Sequence, residues 1–219
     1  MILLALADIH SKTSSLKSIS GDLATADAVL LAGDITHFGD AAELSAVLDE
    51  VKKSGRPVFA VAGNCDRPEA AATLAESECG IEGRAVSVGG VAIAGIGGSL
   101  PCPGTTPNEF SEADFGRLLS QGPFASLSSG SFIFVSHEPP LNTAVDKAWI
   151  MRHVGSREIR RFVETKKPLL CVTGHIHESR GVDTIGETRI VNPGAFKSGN
   201  YAVIEIENMK VKDISLKKV

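Results

Sequence analysis

The chain has 219 residues, of which 43% are hydrophobic and 22% charged, and its formal net charge is −4. This length and composition predict one globular domain over residues 1–219 with a substantial core. The acidic charge and the lack of a basic block disfavour an electrostatic grip on nucleic acid or membrane. The longest apolar stretches fall well short of the ~18–20 residues of a membrane span.

The cysteines and the N-terminal stretch indicate where the protein works. Cys65, Cys79, Cys102 and Cys171 show neither Cys-x-x-Cys pairing nor a disulfide framework. The stretch 1–7 lacks the basic region of a secretory leader and runs straight into Asp8, so it predicts a strand. We therefore expect a reducing, cytoplasmic setting.

Strand and helix signals alternate through the first half of the chain, as is typical of a layered α/β domain. Asp40 and Glu43 form a predicted capping box ahead of a helix that stops at Gly55. The predicted elements are a strand at 2–7, a helix at 12–25, a strand at 28–32, this capped helix, a strand at 57–61 and a short helix from Pro68.

The second half begins with a hairpin and ends with two strands. Gly89-Gly90 predicts the turn between strands 85–88 and 91–94. Ser111 and Ser156 are predicted helix N-caps. The remaining predicted elements are a long loop at 97–108, a strand at 132–135, an irregular segment at 139–154, a strand at 168–173, a hairpin at 181–191 and strands at 201–206 and 211–216. Two mixed sheets between helical layers, an αββα sandwich, accommodate this order.

Five predicted strands end in polar clusters. These are Asp8-Ile-His10, Gly33-Asp34, Gly63-Asn64-Cys65-Asp66, Ser136-His137-Glu138 and Gly174-His175-Ile-His177. Each alone is common as a turn or helix cap. Ligand sites form beyond the carboxyl ends of strands in α/β sheets, so together the clusters predict one shared metal site.

The ordered set Asp-x-His, Gly-Asp, Gly-Asn-x-Asp, Ser-His and Gly-His-x-His resembles the calcineurin-like metallophosphoesterases. The resemblance implies a four-layer αββα sandwich with two metal ions at the sheet edge. It further implies that Asp8, His10 and His177 hold one ion, that Asn64, His137 and His175 hold the other, and that Asp34 bridges both.

The resemblance implies phosphoester hydrolysis by a metal-bridging hydroxide, with catalytic roles for Asp34, Asn64, Asp66 and His137. Imidazole and oxygen donors suit manganese first, with iron, nickel or zinc as alternatives. The expected substrate is a small phosphate ester, a diester ahead of a monoester. Long nucleic acid is disfavoured.

Cys65 departs from the family pattern, which carries histidine at this position as proton donor to the leaving group, oriented by the aspartate at 66. A buried thiol donates a proton less readily than imidazole at neutral pH. A core-facing thiol is the first interpretation of Cys65, and a metal ligand is the second.

Three further residues are candidates for substrate contact, with an ordinary surface or loop role as the alternative for each: His37, Arg67 and Arg180. His153 is predicted either to reach the site from a lid or to cap a helix end. Trp149 is predicted either to plug the core or to form a base-stacking wall. The loops 97–108 and 139–153 are expected to select the substrate.

Two other functions compete with the hydrolase. A binding module on the same fold would show substitutions at the ligand histidines, and a metallo-β-lactamase-like enzyme would need a His-x-His-x-Asp-His cluster. The sequence shows neither. The C-terminal strands could also pair across an edge in a homo-oligomer.

Overall fold

The computed structural model describes residues 1–149 and 151–219. The described residues form eleven strands: β1 (Ile2–Leu6), β2 (Ala28–Ala32), β3 (Val58–Val61), β4 (Ala85–Val88), β5 (Val91–Ile96), β6 (Phe132–Ser136), β7 (Leu170–Thr173), β8 (Gly181–Ile185), β9 (Thr188–Asn192), β10 (Asn200–Glu207) and β11 (Lys210–Lys218). They also form six α-helices: α1 (Ser20–Thr25), α2 (Ala41–Lys52), α3 (Pro68–Glu76), α4 (Glu112–Leu119), α5 (Gly122–Ser126) and α6 (Arg157–Lys166).

The strands build two mixed sheets, as predicted. The first has the order β11-β10-β1-β2-β3, with β1, β2 and β3 parallel and β10 and β11 antiparallel to their neighbours. The second has the order β4-β5-β6-β7-β9-β8, with β5, β6, β7 and β9 parallel. The outer strands are antiparallel to their neighbours, β4 to β5 and β8 to β9. The parallel strands of each sheet therefore present their carboxyl ends at one edge.

Alternation along β1 shows how the layers form. Leu4 and Leu6 pack in the cluster that also contains the apolar face of α2, whereas Leu3 and Ala5 pack in the cluster that contains Ile133 of β6. Successive strand side chains point to opposite faces, so one strand serves both layers. A third cluster joins the second sheet to α4, α5 and α6. The four-layer αββα sandwich is confirmed.

Helix α2 illustrates why the sequence forms these elements. Its four core-facing side chains are all buried: Leu44, Val47, Leu48 and Val51. Burial of each contributes roughly 1.5–3 kcal/mol. The Asp40 side chain accepts a hydrogen bond from the backbone N–H of Glu43 at 3.0 Å, as a helix N-cap does.

Three local predictions differ from the structure. Residues 12–25 form a 3-10 turn, Ser14–Ile19, followed by the short α1. The Glu43 carboxylate accepts from the Ser11 hydroxyl, so the capping box at α2 is only half formed. Helix α5, which opens at Gly122-Pro123, was missed because five residues carry too little periodicity. None of the helices in the described ranges combines the length and hydropathy that a membrane span requires.

Candidate metal centre

The carboxyl ends of β1, β2, β3, β6 and β7 meet at one place between the two sheets. Close approach there depends on glycine at two positions. A Cβ on Gly33 would lie 2.2 Å from His137 Nδ1, and one on Gly63 would lie 2.1 Å from the backbone nitrogen of Asp34. The glycines of the Gly-Asp and Gly-Asn motifs are therefore required by packing between neighbouring loops.

Asp8, His10 and His177 form the more open half of the cluster. His177 Nε2 lies 3.2 Å from Asp8 Oδ1 and 3.4 Å from His10 Nε2. The side chains of Asp8 and His10 are buried, and His177 is about one-third exposed. The second oxygen of Asp8, Oδ2, is buried without a hydrogen-bond partner.

Asp34, Asn64 and His137 form the buried half. His137 Nε2 lies 2.9 Å from Asn64 Oδ1 and 3.4 Å from Asp34 Oδ1. The other Asp34 oxygen, Oδ2, lies 3.5 Å from His10 Nε2. Asp34 thus stands between the two halves, where a bridging carboxylate would have to be.

His175 joins the cluster less directly. Its backbone N–H donates to Asp8 Oδ1 at 3.3 Å, and its ring packs edge-on against His137 with centroids 5.1 Å apart. Its Nε2 lies 3.6 Å from Cys102 Sγ and 3.9 Å from Glu138 Oε2. Within the described residues, His175 belongs to none of the groups of His, Cys, Asp and Glu ligand atoms that lie within 4.8 Å of one another, so its role as a metal ligand stays a prediction. Cys102 lies in a loop whose sequence carries no signal for this contact.

Four of the predicted ligands have left-handed backbone conformations: Asp8 (φ 54°), His10 (φ 46°), Asp34 (φ 49°) and His175 (φ 67°). Such conformations cost residues other than glycine of order 1–3 kcal/mol and concentrate at functional sites. Asp, Asn and His tolerate them better than most residues. The strained backbone lets side chains one residue apart, such as Asp8 and His10, reach the same space.

Burial and the charges of neighbouring groups together set the protonation of the cluster. Burial alone would lower the pKa of His137, but Asp34 and Asp8 raise it above its usual value. Burial lowers the pKa of His10 and of His175 to about 3 each, so both imidazoles are neutral at pH 7. Burial raises the pKa of Asp34. Burial would also raise the pKa of Asp8, but the neighbouring His177 and His137 hold it below its usual value. Neutral imidazoles and ionised carboxylates are the forms that ligate metals.

The donor set fits divalent transition metals. Asp8, His10 and His177 offer ligand atoms within 4.8 Å of one another, and so do Asp8, Asp34 and His137. With bonds of about 2.1 Å, two ligands of one ion lie at most about 4.2 Å apart, and the 3.2–3.5 Å contacts satisfy that limit. The unpartnered Asp8 Oδ2 is a further oxygen available to a cation.

Asp66 lies in a buried hydrogen-bond network between two loops of the cluster, and its predicted catalytic role, to orient the group at position 65, stays a prediction. Its carboxylate accepts from the backbone N–H groups of Gly63, Ile35 and Thr36 and from the Thr36 hydroxyl at 2.7–3.1 Å. It therefore ties the loop after β2 to the loop after β3. Burial, reinforced by Asp34, raises its pKa to about 6.

The Cys65 thiol faces the cluster, which corrects the prediction of a core-facing side chain. Cys65 Sγ, one ligand atom of His10 and one of Asp34 all lie within 4.8 Å of one another. Burial, with the Asp34 carboxylate next, raises the pKa of this thiol well above its usual value. The thiol is therefore protonated at neutral pH and is a poor proton donor.

The structure places the predicted substrate-contact residues differently. His37 is exposed, and its Nδ1 lies 3.3 Å from His10 Nδ1 at the rim of the open half. Arg67 is exposed at the start of α3. The Arg180 guanidinium donates to the backbone carbonyls of Pro193 and Lys217, at 3.1 Å each. Contact with substrate stays a prediction for all three.

Two residues of the 139–154 segment also differ from expectation. Trp149 does not plug the core, because it is 87% exposed. His153 Nδ1 lies 2.6 Å from Oδ1 of the fully buried Asp146. Sequence reasoning missed Asp146, since a buried carboxylate inside an irregular segment has no periodic signal.

A model described as the calcineurin-like phosphoesterase superfamily domain matches residues 1–209. The chain belongs to this superfamily. Members of this superfamily are generally phosphoric ester hydrolases, and they typically bind two divalent metal ions. The protein MJ1162 of Methanocaldococcus jannaschii, described as uncharacterized, is 34% identical over 198 residues, which cover 88% of each chain.

Solved structures show the same fold. TT1561 of Thermus thermophilus is 18% identical with a TM-score of 0.77, and the match covers 99% of this chain and 98% of that one. A dimetal phosphatase from Danio rerio is 14% identical with a TM-score of 0.68, over 100% and 95% of the two chains. At these identities the likeness concerns the fold alone.

Proposed function

We propose that this superfamily member is a dinuclear metal-dependent phosphodiesterase. The observation that carries the proposal is the position of Asp34, whose two carboxylate oxygens lie 3.4 Å from His137 Nε2 and 3.5 Å from His10 Nε2. A carboxylate shared by two sets of donors is what two adjacent ions require.

The cluster's charge supports an anionic substrate. Asp8 and Asp34 are its two carboxylates, so two divalent ions would leave the site with net positive charge. When bound, such ions lower the pKa of a shared water and neutralise the charge that develops on the phosphoryl oxygens. Manganese is the first choice, with iron, nickel or zinc as alternatives.

The chain's own residues would hold this arrangement. His10, His177 and Asp8 would bind the ion of the open half, and Asn64, His137 and His175 the ion of the buried half. Asp66 keeps the two central loops in register, and the backbone N–H of Cys65 donates to Asp34 Oδ1 at 2.8 Å, which fixes the shared carboxylate.

Cys65 disfavours esters whose leaving group is a poor one. A protonated, buried thiol beside the cluster gives the leaving group little help. Substrates whose leaving group departs without a proton are therefore preferred. Esters of acidic alcohols belong to this class, whereas many phosphomonoesters, which have alkoxide leaving groups, do not.

A cytoplasmic location stays a prediction, to which the four free cysteines lend support.

The test is a metal-dependent activity screen. The protein loaded with manganese, iron, nickel or zinc is assayed against bis(4-nitrophenyl) phosphate and 4-nitrophenyl phosphate side by side, with bound metal counted for each preparation. We expect two ions per chain and faster turnover of the diester. Two bound ions without turnover of either ester would overturn the proposal, and faster turnover of the monoester would reverse the stated preference.

A further inference from the structure

Exposed apolar side chains concentrate in one short stretch of the chain. Among the described residues, five large hydrophobic side chains are exposed, and three of them are Trp149 (87%), Met151 (74%) and Val154 (38%). We call residues 147–149 and 151–154 the tip. An indole with 87% of its surface in water forgoes the burial that usually stabilises tryptophan, so its position calls for an explanation.

The base of the tip is firmly held. The fully buried Asp146 carboxylate accepts from the backbone N–H groups of Asn142 and Gly155 and contacts His153 Nδ1 at 2.6 Å. The backbone N–H of Ala148 donates to the Arg152 carbonyl at 3.0 Å. Hydrogen bonds therefore hold both ends of the tip to the rest of the protein.

The tip is fastened beside the metal cluster. The backbone N–H of Trp149 donates to Glu178 Oε1 at 2.7 Å, and the Ser179 hydroxyl donates to the Lys147 carbonyl at 2.5 Å. Glu178 and Ser179 belong to the short 3-10 turn that begins with His177. The Glu178 side chain therefore links the backbone of Trp149 to the turn that carries the candidate metal ligand His177.

We propose that Trp149 is a stacking platform for the nucleobase of a nucleotide phosphodiester whose phosphate lies at the metal cluster, an inference that rests on the proposed function. Stacking on an aromatic side chain contributes ~1–3 kcal/mol per base and tolerates different bases. Because hydrogen bonds already hold both ends of the tip, little conformational entropy is lost there when the base binds. The platform would favour nucleotides over diesters that lack a flat group.

Two other occupants fit the tip less well. Three side chains offer far less than the ~800 Å² per partner that a standard protein interface buries. Lys147 and Arg152 lie in the tip, but two basic residues fall short of the clusters of about 4–8 that bind anionic membrane surfaces, and the net charge of the chain is −4. A base carried by a substrate needs only the small flat area that one indole provides.

Fluorescence tests the platform without any need for turnover. Trp149 is the single tryptophan of the chain, so intrinsic emission reports on this side chain alone. The zinc-loaded protein is titrated with adenosine 5′-monophosphate and, as a matched control that lacks the base, with ribose 5-phosphate. We expect saturable quenching by the nucleotide only. Equal responses to both ligands, or none to the nucleotide, would overturn the proposal.

Kinetics separate this inference from the proposed function. The substrates are thymidine 5′-(4-nitrophenyl phosphate) and methyl 4-nitrophenyl phosphate, which share a leaving group and differ in the base. Trp149→Ala should lower kcat/KM about tenfold for the first and less than about twofold for the second, while Trp149→Phe keeps most of the activity. Met209→Ala, which removes an exposed side chain between β10 and β11, is the control and should change neither.

Each contrary outcome has a distinct meaning. Equal losses on both substrates after Trp149→Ala would overturn the platform. So would a dimer in sedimentation equilibrium that this variant dissociates, or a blue shift of emission with phosphatidylserine vesicles. Absence of turnover of both diesters by the metal-loaded wild type contradicts the proposed function, and the nucleotide titration still decides the platform.

Discussion

The two halves of the metal cluster use the same residue types in different surroundings. In the buried half, the His137 side chain is 0% exposed and both of its ring nitrogens have partners, Ala32 O at 2.8 Å and Asn64 Oδ1 at 2.9 Å. In the open half, the His177 side chain is 35% exposed. The ring of His137 is thus also part of the core between the sheets, whereas the ring of His177 reaches the solvent.

This difference separates two roles that a ligand can have. A side chain such as His137 supports the fold and binds metal, so its replacement affects both properties. A side chain such as His177 lies on a short turn and is expected to matter for metal alone. The following experiments test this division, from the largest expected effect to the smallest.

Asp34→Asn tests the residue that joins the halves. Loss of the shared charge should lower kcat/KM by ~10³-fold and reduce the bound metal below two ions per chain. Burial raises the pKa of Asp34, so its charge destabilises the metal-free fold, and the variant should unfold at the same or a higher temperature. Differential scanning calorimetry with chelator measures this.

Asp49→Asn, at an exposed position of α2, is the control and should leave activity, metal content and unfolding temperature unchanged. A metal-free Asp34→Asn protein that unfolds well below the wild type would contradict the interpretation, because it would make the Asp34 charge a stabilising feature.

His137→Ala and His177→Ala compare the halves directly. Both should lose one metal ion. Removal of the buried ring leaves a cavity beside Gly33, and His137→Ala should therefore lower the free energy of unfolding of the metal-free protein by about 3 kcal/mol. His177→Ala should lower it by less than about 1 kcal/mol. Urea denaturation in the presence of chelator distinguishes them, and equal losses would abolish the proposed division.

Glu82→Gln tests a carboxylate that holds the backbone just before Asn64 of the buried half. The Glu82 carboxylate accepts from the backbone N–H of Ala62 at 2.7 Å, two residues before Asn64. Burial raises the pKa of Glu82 from 4.5 to about 7. The folded protein therefore keeps the Glu82 proton up to a higher pH than the unfolded chain does. The protonated carboxyl group contributes stability that is fully present below pH 4.5 and is lost as the pH rises through 7.

Glutamine keeps the acceptor and removes the titration. Relative to wild type, the metal-free variant should gain stability as the pH rises from about 4.5 to about 8, by roughly 2 kcal/mol after allowance for solvent screening. Urea denaturation at several pH values measures the difference. A difference independent of pH would show that Glu82 does not titrate in this range.

Cys65→His tests the thiol that faces the cluster. An imidazole there would supply a stronger proton donor, so the ratio of turnover of glycerol 2-phosphate, which has an alkoxide leaving group, to turnover of 4-nitrophenyl phosphate should rise about tenfold. Cys65→Ala is the matched control and should leave the ratio unchanged. If Cys65→Ala also raises the ratio, the effect comes from a change of space beside the cluster and not from proton transfer.

Sequence alone determined much of the fold. The alternating strands and helices, the hairpin at Gly89-Gly90 and the caps at Asp40, Ser111 and Ser156 follow from local propensity and periodicity, which act over a few residues. The short α5 and the 3-10 turn before α1 escaped detection because their conformation depends on packing more than on local pattern.

The candidate ligands also came from the sequence, because each lies directly after a strand and the carboxyl ends of parallel strands meet. Only the tertiary structure decided how these residues divide the work. The burial of His137, the exposure of His177 and the direction of the Cys65 thiol depend on which loops pack together across two sheets. Asp146 and the exposed Trp149 likewise depend on long-range contacts, and no pattern of neighbouring residues encodes those.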